Sequence, residues 1–154
     1  MGKIELQNIC FQYAGNSSMT LENINLSVNA GEFVCVLGTS GCGKSTLLSI
    51  LCGLQRPSSG KFLIDGKEIT GPGTERGVVF QHYSLFPWLT AKENIIFGIK
   101  QVRKDLPKKE IENIAQAYMA KVGLEGFESN KPAQLSGGQQ QRVAIARALA
   151  MNAE

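Results

Sequence analysis

The chain has 154 residues, 43% of them hydrophobic and 19% charged, with a formal net charge of +3. That length and balance suit one ordinary globular domain with a real core and exclude a disordered chain. So small and dispersed a charge argues against nucleic acid as a partner.

Taken from the N-terminus, Met1-Gly2-Lys3-Ile4-Glu5 lacks the apolar core of a signal peptide, and Leu6 stands where a myristoylation site would carry Ser or Thr. The stretches Ile4 to Phe11 and Ile24 to Val28 alternate apolar and polar residues, which predicts half-buried strands. After the turn Ala30-Gly31-Glu32, the run Phe33-Val34-Cys35-Val36-Leu37 predicts a short buried strand; it is far too short to span a membrane. Leu47, Leu48, Ile50 and Leu51 predict a buried helix over 44–54, stopped by Gly53 and Pro57-Ser58-Ser59-Gly60. Asp65-Gly66, between Phe62-Leu63-Ile64 and Ile69, is a hairpin signal. Gly77-Val78-Val79-Phe80 predicts another short buried strand ending at Gln81. Beyond it the basic stretch Lys100 to Lys109, broken by Asp105 and Pro107, is expected to be a solvated loop entering a helix.

From Ala91 onward the pattern is mostly helical. Ile111, Ile114, Ala115, Tyr118, Met119 and Val122 follow helical spacing, with Gly123 as a C-terminal stop. A loop over 123–134 leads to a helix that runs to the end. The four cysteines (Cys10, Cys35, Cys42 and Cys52) form no Cys-x-x-Cys pair, and Cys35 and Cys52 sit among apolar neighbours, as small core residues in a reducing compartment do. With a single histidine and no ligand cluster, a structural metal is not expected.

Two glycine-rich segments carry the chemistry. Gly38-Thr39-Ser40-Gly41-Cys42-Gly43-Lys44-Ser45, followed by Thr46, is a full P-loop pattern between an apolar run and a helix. A triphosphate must lie against bare backbone N–H groups, and a Cβ would block that approach. The helix start adds N–H donors and a favourable dipole. Lys44 supplies a point charge for the β- and γ-phosphates, and the Ser45 hydroxyl suits Mg²⁺. Cys42 within the loop is taken as a passive residue. Leu135-Ser136-Gly137-Gly138-Gln139 repeats the physics, with Ser136 as cap and Val143, Ile145 and Leu149 expected to face the core. One triphosphate needs one P-loop, so a second anion-binding helix start calls for a phosphate from elsewhere. A head-to-tail pair of protomers supplies it.

The P-loop, Gln81 after a short strand, and Leu135 to Gln139, in that order, resemble the ATP-binding cassette ATPases of ABC transporters, and the likeness covers the whole chain. Val79-Phe80-Gln81 followed by Leu85-Phe86-Pro87-Trp88-Leu89-Thr90 looks like the importer branch serving nitrate, sulfonate and taurine. The resemblance implies an α/β fold, a P-loop NTPase core with an N-terminal antiparallel β subdomain and a helical subdomain. Its parts would be a strand-rich ATP-binding part over 1–81, a helical subdomain over 82–138 and the signature helix over 139–154. It implies ATP and Mg²⁺ as cofactors, Gln81 reaching toward Mg²⁺ and the attacking water, and Tyr13 stacking on adenine, although Tyr13 also reads as a strand-end core residue. Leu135, Ser136, Gly137, Gly138 and Gln139 would meet the ATP of a second ATPase subunit. Transmembrane permease subunits would dock near Phe86 and Trp88, with Trp88 expected to be partly buried within the domain. The protein would then be cytoplasmic, peripheral on the inner face of the membrane and attached only through the permease.

In this family the signature helix is followed by an apolar strand ending in Asp-Glu, and Glu154 precedes that position rather than replacing it. The resemblance therefore implies that the C-terminal part of the cassette is missing. The chain alone is expected to turn over negligible ATP and to pack loosely or aggregate. His82 is not expected to be catalytic, because the family's switch histidine belongs after the Asp-Glu strand. A non-hydrolytic nucleotide-binding or interaction module stands as the alternative. A P-loop kinase is disfavoured, having no use for Leu135 to Arg142.

Overall fold

A computed structural model describes residues 3–74, 76–81 and 84–151. His82 and Glu154, for which no catalytic part is expected, lie outside the described residues. The chain divides into two compact units, Met1–Gly73 and Thr74–Ala153.

The first unit is a four-stranded antiparallel sheet in the order β2-β1-β3-β4, with one helix. Strands β1 (Ile4–Phe11) and β2 (Leu21–Val28) pair as their alternation predicts, and β1 also pairs with β3 (Ser59–Ile64). β1 shifts register near Asn8, which takes a left-handed φ of 51° and donates its N–H to Asn25 Oδ1 at 2.9 Å. The hairpin from β3 to β4 (Lys67–Glu68) turns on Asp65 and Gly66, both with positive φ, as a two-residue turn of that composition requires. Helix α1 (Lys44–Leu51) contributes Leu47 and Ile50 to a core with Leu6, Ile9, Phe11, Leu21 and Phe62 from the sheet. Each such side chain removed from water contributes about 1.5–3 kcal/mol.

Several expectations for this unit fail. Leu48, predicted to be buried, is exposed: a helix has one inward face, and Leu47 and Ile50 occupy it. Phe33 to Leu37, predicted as a buried strand, has no regular structure, with Phe33 95% and Leu37 85% exposed. A buried strand needs a ladder neighbour on the sheet, and no described strand lies beside this segment. Cys35 is exposed for the same reason, whereas Cys52 is buried as expected.

In the second unit, α2 (Ala91–Val102), α3 (Lys108–Lys121) and α4 (Gly137–Ala150) share one core, with Ile95 and Ile99, Ile111, Ala115 and Met119, and Val143, Ala146 and Ala150 facing it. The helical spacing on α3 is observed as predicted, and Gly123 follows its end with φ 64°. α2 opens on a capping box, Thr90 Oγ1 accepting from the Glu93 N–H while the Thr90 N–H donates to Glu93 Oε2. The basic stretch is less loop-like than predicted, because α2 continues to Val102.

Two further corrections belong here. Residues 77–80 form no strand, and Val79 and Phe80 are exposed, again without a described neighbour to pair with. On α4 the inward positions are Val143, Ala144, Ala146 and Ala150; Ile145 is half-buried and Leu149 exposed. Small residues let α2 and α4 approach closely, so the alanine stripe takes the core face and turns Leu149 outward. A Cβ on Gly98 of α2 would lie 2.8 Å from Arg147 Cγ of α4, which shows how tight that approach is.

Candidate nucleotide site and signature helix

At the start of α1 the backbone rises through Gly43, whose φ of 96° is costly for any residue with a Cβ. That Cβ would also lie 2.7 Å from Leu21 Cδ2 and 2.9 Å from the Thr20 carbonyl oxygen. Gly43 offers no side-chain cap and no acidic residue occupies the first turn, so the N-terminal N–H groups of α1 keep their capacity for an anion. Lys44 curls over the loop, Nζ donating to the Gly38 and Thr39 carbonyl oxygens at 2.8 and 2.6 Å and lying 3.6 Å from Cys42 Sγ. A phosphate oxygen is a stronger acceptor than either carbonyl.

Tyr13, Ser40, Gly41, Gly43, Lys44, Ser45 and Thr46 line one cavity of about 450 Å³. The Tyr13 hydroxyl lies 3.0 Å from Thr46 Oγ1, and its ring meets Phe11 edge-on at 4.8 Å. At 42% exposure Tyr13 is not a core residue; it is an exposed part of the lining of this cavity. Asn16 and Thr20 also line it and were not singled out in the sequence. The signal for Asn16 was the turn after Tyr13, where its N–H donates to the Tyr13 carbonyl.

In the second unit Gln81 is exposed. The other glycine-rich helix start is built differently from the first. Ser136 caps α4 by accepting from the Gln139 N–H at 3.3 Å, and Gln139 Oε1 accepts from the Ser136 N–H at 2.8 Å. Gln140 Nε2 donates to the Pro132 and Leu135 carbonyls, fixing the 3₁₀ turn Pro132–Gln134 that leads in. Arg142 Nη1 donates to the Val122 and Gly123 carbonyls at the end of α3. Gly138 has an ordinary φ, and a Cβ there would meet nothing within 4 Å. Its own fold does not require that glycine. Trp88, expected to be partly buried, is 67% exposed, with its ring 5.4 Å from Phe86. Another cavity, about 490 Å³, sets Lys92, Lys100 and Lys108 against Glu93, Glu112 and Glu128 and has none of the glycine-rich backbone of the α1 loop.

The pattern of the ABC transporter family matches residues 21–154. The chain belongs to the ABC transporter family. An uncharacterized ABC transporter ATP-binding protein of Methanocaldococcus jannaschii is 53% identical over 154 residues, covering 99% of this chain and 57% of the relative. A nitrate import ATP-binding protein and a bicarbonate transport ATP-binding protein of Synechocystis are each 52% identical over 134 residues, covering 87% of this chain and 50% and 48% of those relatives. The chain therefore spans about half the length of the curated relatives it matches. Among solved ABC structures, a dimeric cassette in a post-hydrolysis state bound to ADP and Pi superposes with TM-score 0.86 at 40% identity, over 97% of this chain and 70% of that one. Among the described residues no helix is long and apolar enough to cross a membrane.

Proposed function

We propose that this chain is part of the ATP-binding subunit of an ABC importer, which binds MgATP and couples its hydrolysis to the transport of a small solute. The observation that carries the reading is the cavity at α1, which unites a helix N-terminus without a side-chain cap, a lysine resting on two loop carbonyls and Cys42 Sγ, and an aromatic ring in the lining. In this reading Gly38, Thr39, Ser40, Gly41, Cys42 and Gly43 offer backbone to the phosphates, Lys44 holds the β- and γ-oxygens, and Tyr13 takes the adenine face. Ser45, with Thr46 beside it, and Gln81 hold Mg²⁺, which when bound offsets phosphate charge. Lys44 and Gln81 are the catalytic candidates of this chain.

Leu135, Ser136, Gly137, Gly138 and Gln139 face the nucleotide of a second ATPase subunit. Gly138, open to space and unneeded by its own helix, supports that role, because bare backbone is useful there only to something from outside. The exposed Trp88 beside Phe86 supports docking of a transmembrane permease subunit, which would hold the protein at the inner face of the membrane. The solute is of the nitrate, sulfonate or taurine type. Two relatives are named for nitrate and bicarbonate, both small oxyanions.

The test is MgATP binding by the complete gene product, wild type against Lys44→Ala, by titration calorimetry. Removing the charge-assisted bonds is expected to weaken binding about 10- to 100-fold. Equal binding by both proteins would sink the reading. Binding by the wild type without any hydrolysis would instead assign a non-hydrolytic nucleotide-binding module.

A further inference from the structure

Asn94 of α2 is fully buried, and its side chain is spent on one segment of backbone. Its Oδ1 accepts from the Phe86 N–H at 2.8 Å. Its Nδ2 donates to the carbonyls of Phe86, Leu89 and Thr90 at 3.2, 3.2 and 2.9 Å. The amide thus pairs with both backbone groups of Phe86 and closes the turn through Trp88. A second grip comes from α4, where Arg147 Nη1 donates to the Ser84 carbonyl at 2.9 Å and its guanidinium lies 5.8 Å from the centre of the Phe86 ring. Ser84 itself has a left-handed φ of 50°, a conformation that costs a residue other than glycine about 1–2 kcal/mol and that its surroundings must hold in place. Arg147 can reach it because Gly98 leaves room for the arginine stem across α2.

We infer that Asn94 and Arg147 are positioning residues that shape the loop 84–90 for a permease subunit and tie that loop to the helix carrying Ser136 to Gln139. The inference rests on the permease-docking reading above. From Gly137 to Arg147 the helix runs about 15 Å, and a helix transmits displacement along its axis with little loss. A shift of the signature end therefore reaches Ser84 and Phe86 through Arg147, while Asn94 keeps Phe86, Leu89 and Thr90 in one turn. Asn94 touches neither nucleotide nor solute in this scheme, and its effect is on docking and coupling alone.

The experiment uses the complete ATPase subunit and its permease. It measures amide exchange of Phe86, Trp88 and Leu89 in the free subunit, affinity for the permease in detergent, and affinity for MgATP. Asn94→Asp keeps the acceptor for the Phe86 N–H but sets a carboxylate against three carbonyls. It is expected to speed exchange and weaken permease binding by about tenfold or more, with MgATP affinity within about twofold of wild type. Arg147→Lys, which keeps the charge and loses the planar fork, should move both readouts the same way by about threefold, and it decides the matter if Asn94→Asp does not fold. A merely structural role would speed exchange and weaken permease and MgATP affinity together, and that result would overturn the inference. So would permease affinity equal to wild type in a variant whose loop exchanges faster, or exchange equal to wild type in both variants. If the wild type itself binds no permease, and Trp88→Ala changes nothing, the functional reading fails along with the inference. That case is told apart by the behaviour of the unaltered protein.

Discussion

The two glycine-rich helix starts look alike as strings and differ as structures. At α1 the glycine is demanded from within, since the left-handed backbone of Gly43 and the nearness of Leu21 and Thr20 exclude a Cβ, while the helix N–H groups are left without a side-chain cap. At α4 Ser136 and Gln139 close a capping box, and Gly138 is not needed by the helix it opens. An internally required glycine beside a helix start without a side-chain cap supports the proposed reading of a site that holds its own anion. A dispensable glycine beside a capping box supports the proposed reading of a surface offered to another subunit.

The largest expected break of that contrast is Gly43→Ala. A left-handed backbone costs about 1–2 kcal/mol and the forced contacts about 1–3 more, so denaturant unfolding of the complete protein should show a loss of about 2–5 kcal/mol. A loss below about 1 kcal/mol would mean the loop has another conformation available. Next comes Lys44→Ala, which should separate binding from stability. Its carbonyl bonds lie at the surface, so the unfolding free energy should stay within about 0.5 kcal/mol of wild type while MgATP binding weakens about 10- to 100-fold. Equal losses in both would show that the lysine is a structural strut.

Ser136→Ala removes the cap of α4 and should cost about 1 kcal/mol, readable in thermal unfolding. An unchanged midpoint would show the capping box to be dispensable. The smallest effect on stability sharpens the contrast most. Gly138→Ala should stabilise the protein by a few tenths to about 1 kcal/mol, since alanine is the better helix former and the Cβ meets open space. The same variant should weaken MgATP-driven pairing of subunits in size-exclusion chromatography. Intact pairing with higher stability would make that glycine incidental.

Local chemistry made much of this readable in advance. The Asp65-Gly66 hairpin, the spacing of Ile111, Ala115 and Met119, and the Ser136 cap each depend on residues close in sequence, and each is present. The aromatic at position 13 also reads from the sequence as either a nucleotide contact or a core residue, and the structure puts it in the cavity lining, 42% exposed. Asn94 was invisible because nothing in the string distinguishes a buried amide on a helix from a solvated one. Its meaning lies in four bonds to a loop several residues away. Leu149 and Trp88 were misplaced because hydrophobicity states a preference for burial and does not name which face has a neighbour.

What the sequence by itself determined is the glycine-rich pattern of residues 38–46, the order of the motifs and the resemblance to the family. These rest on glycines, a lysine and a serine at fixed spacing, whose effects act over a few residues. What only the tertiary structure decided is which apolar runs have something to pack against. Ile4 to Phe11 finds two antiparallel neighbours and is a strand, whereas Phe33 to Leu37 finds none among the described residues and lies exposed. A ladder hydrogen bond needs two strands, so the fate of either depends on residues far away along the chain.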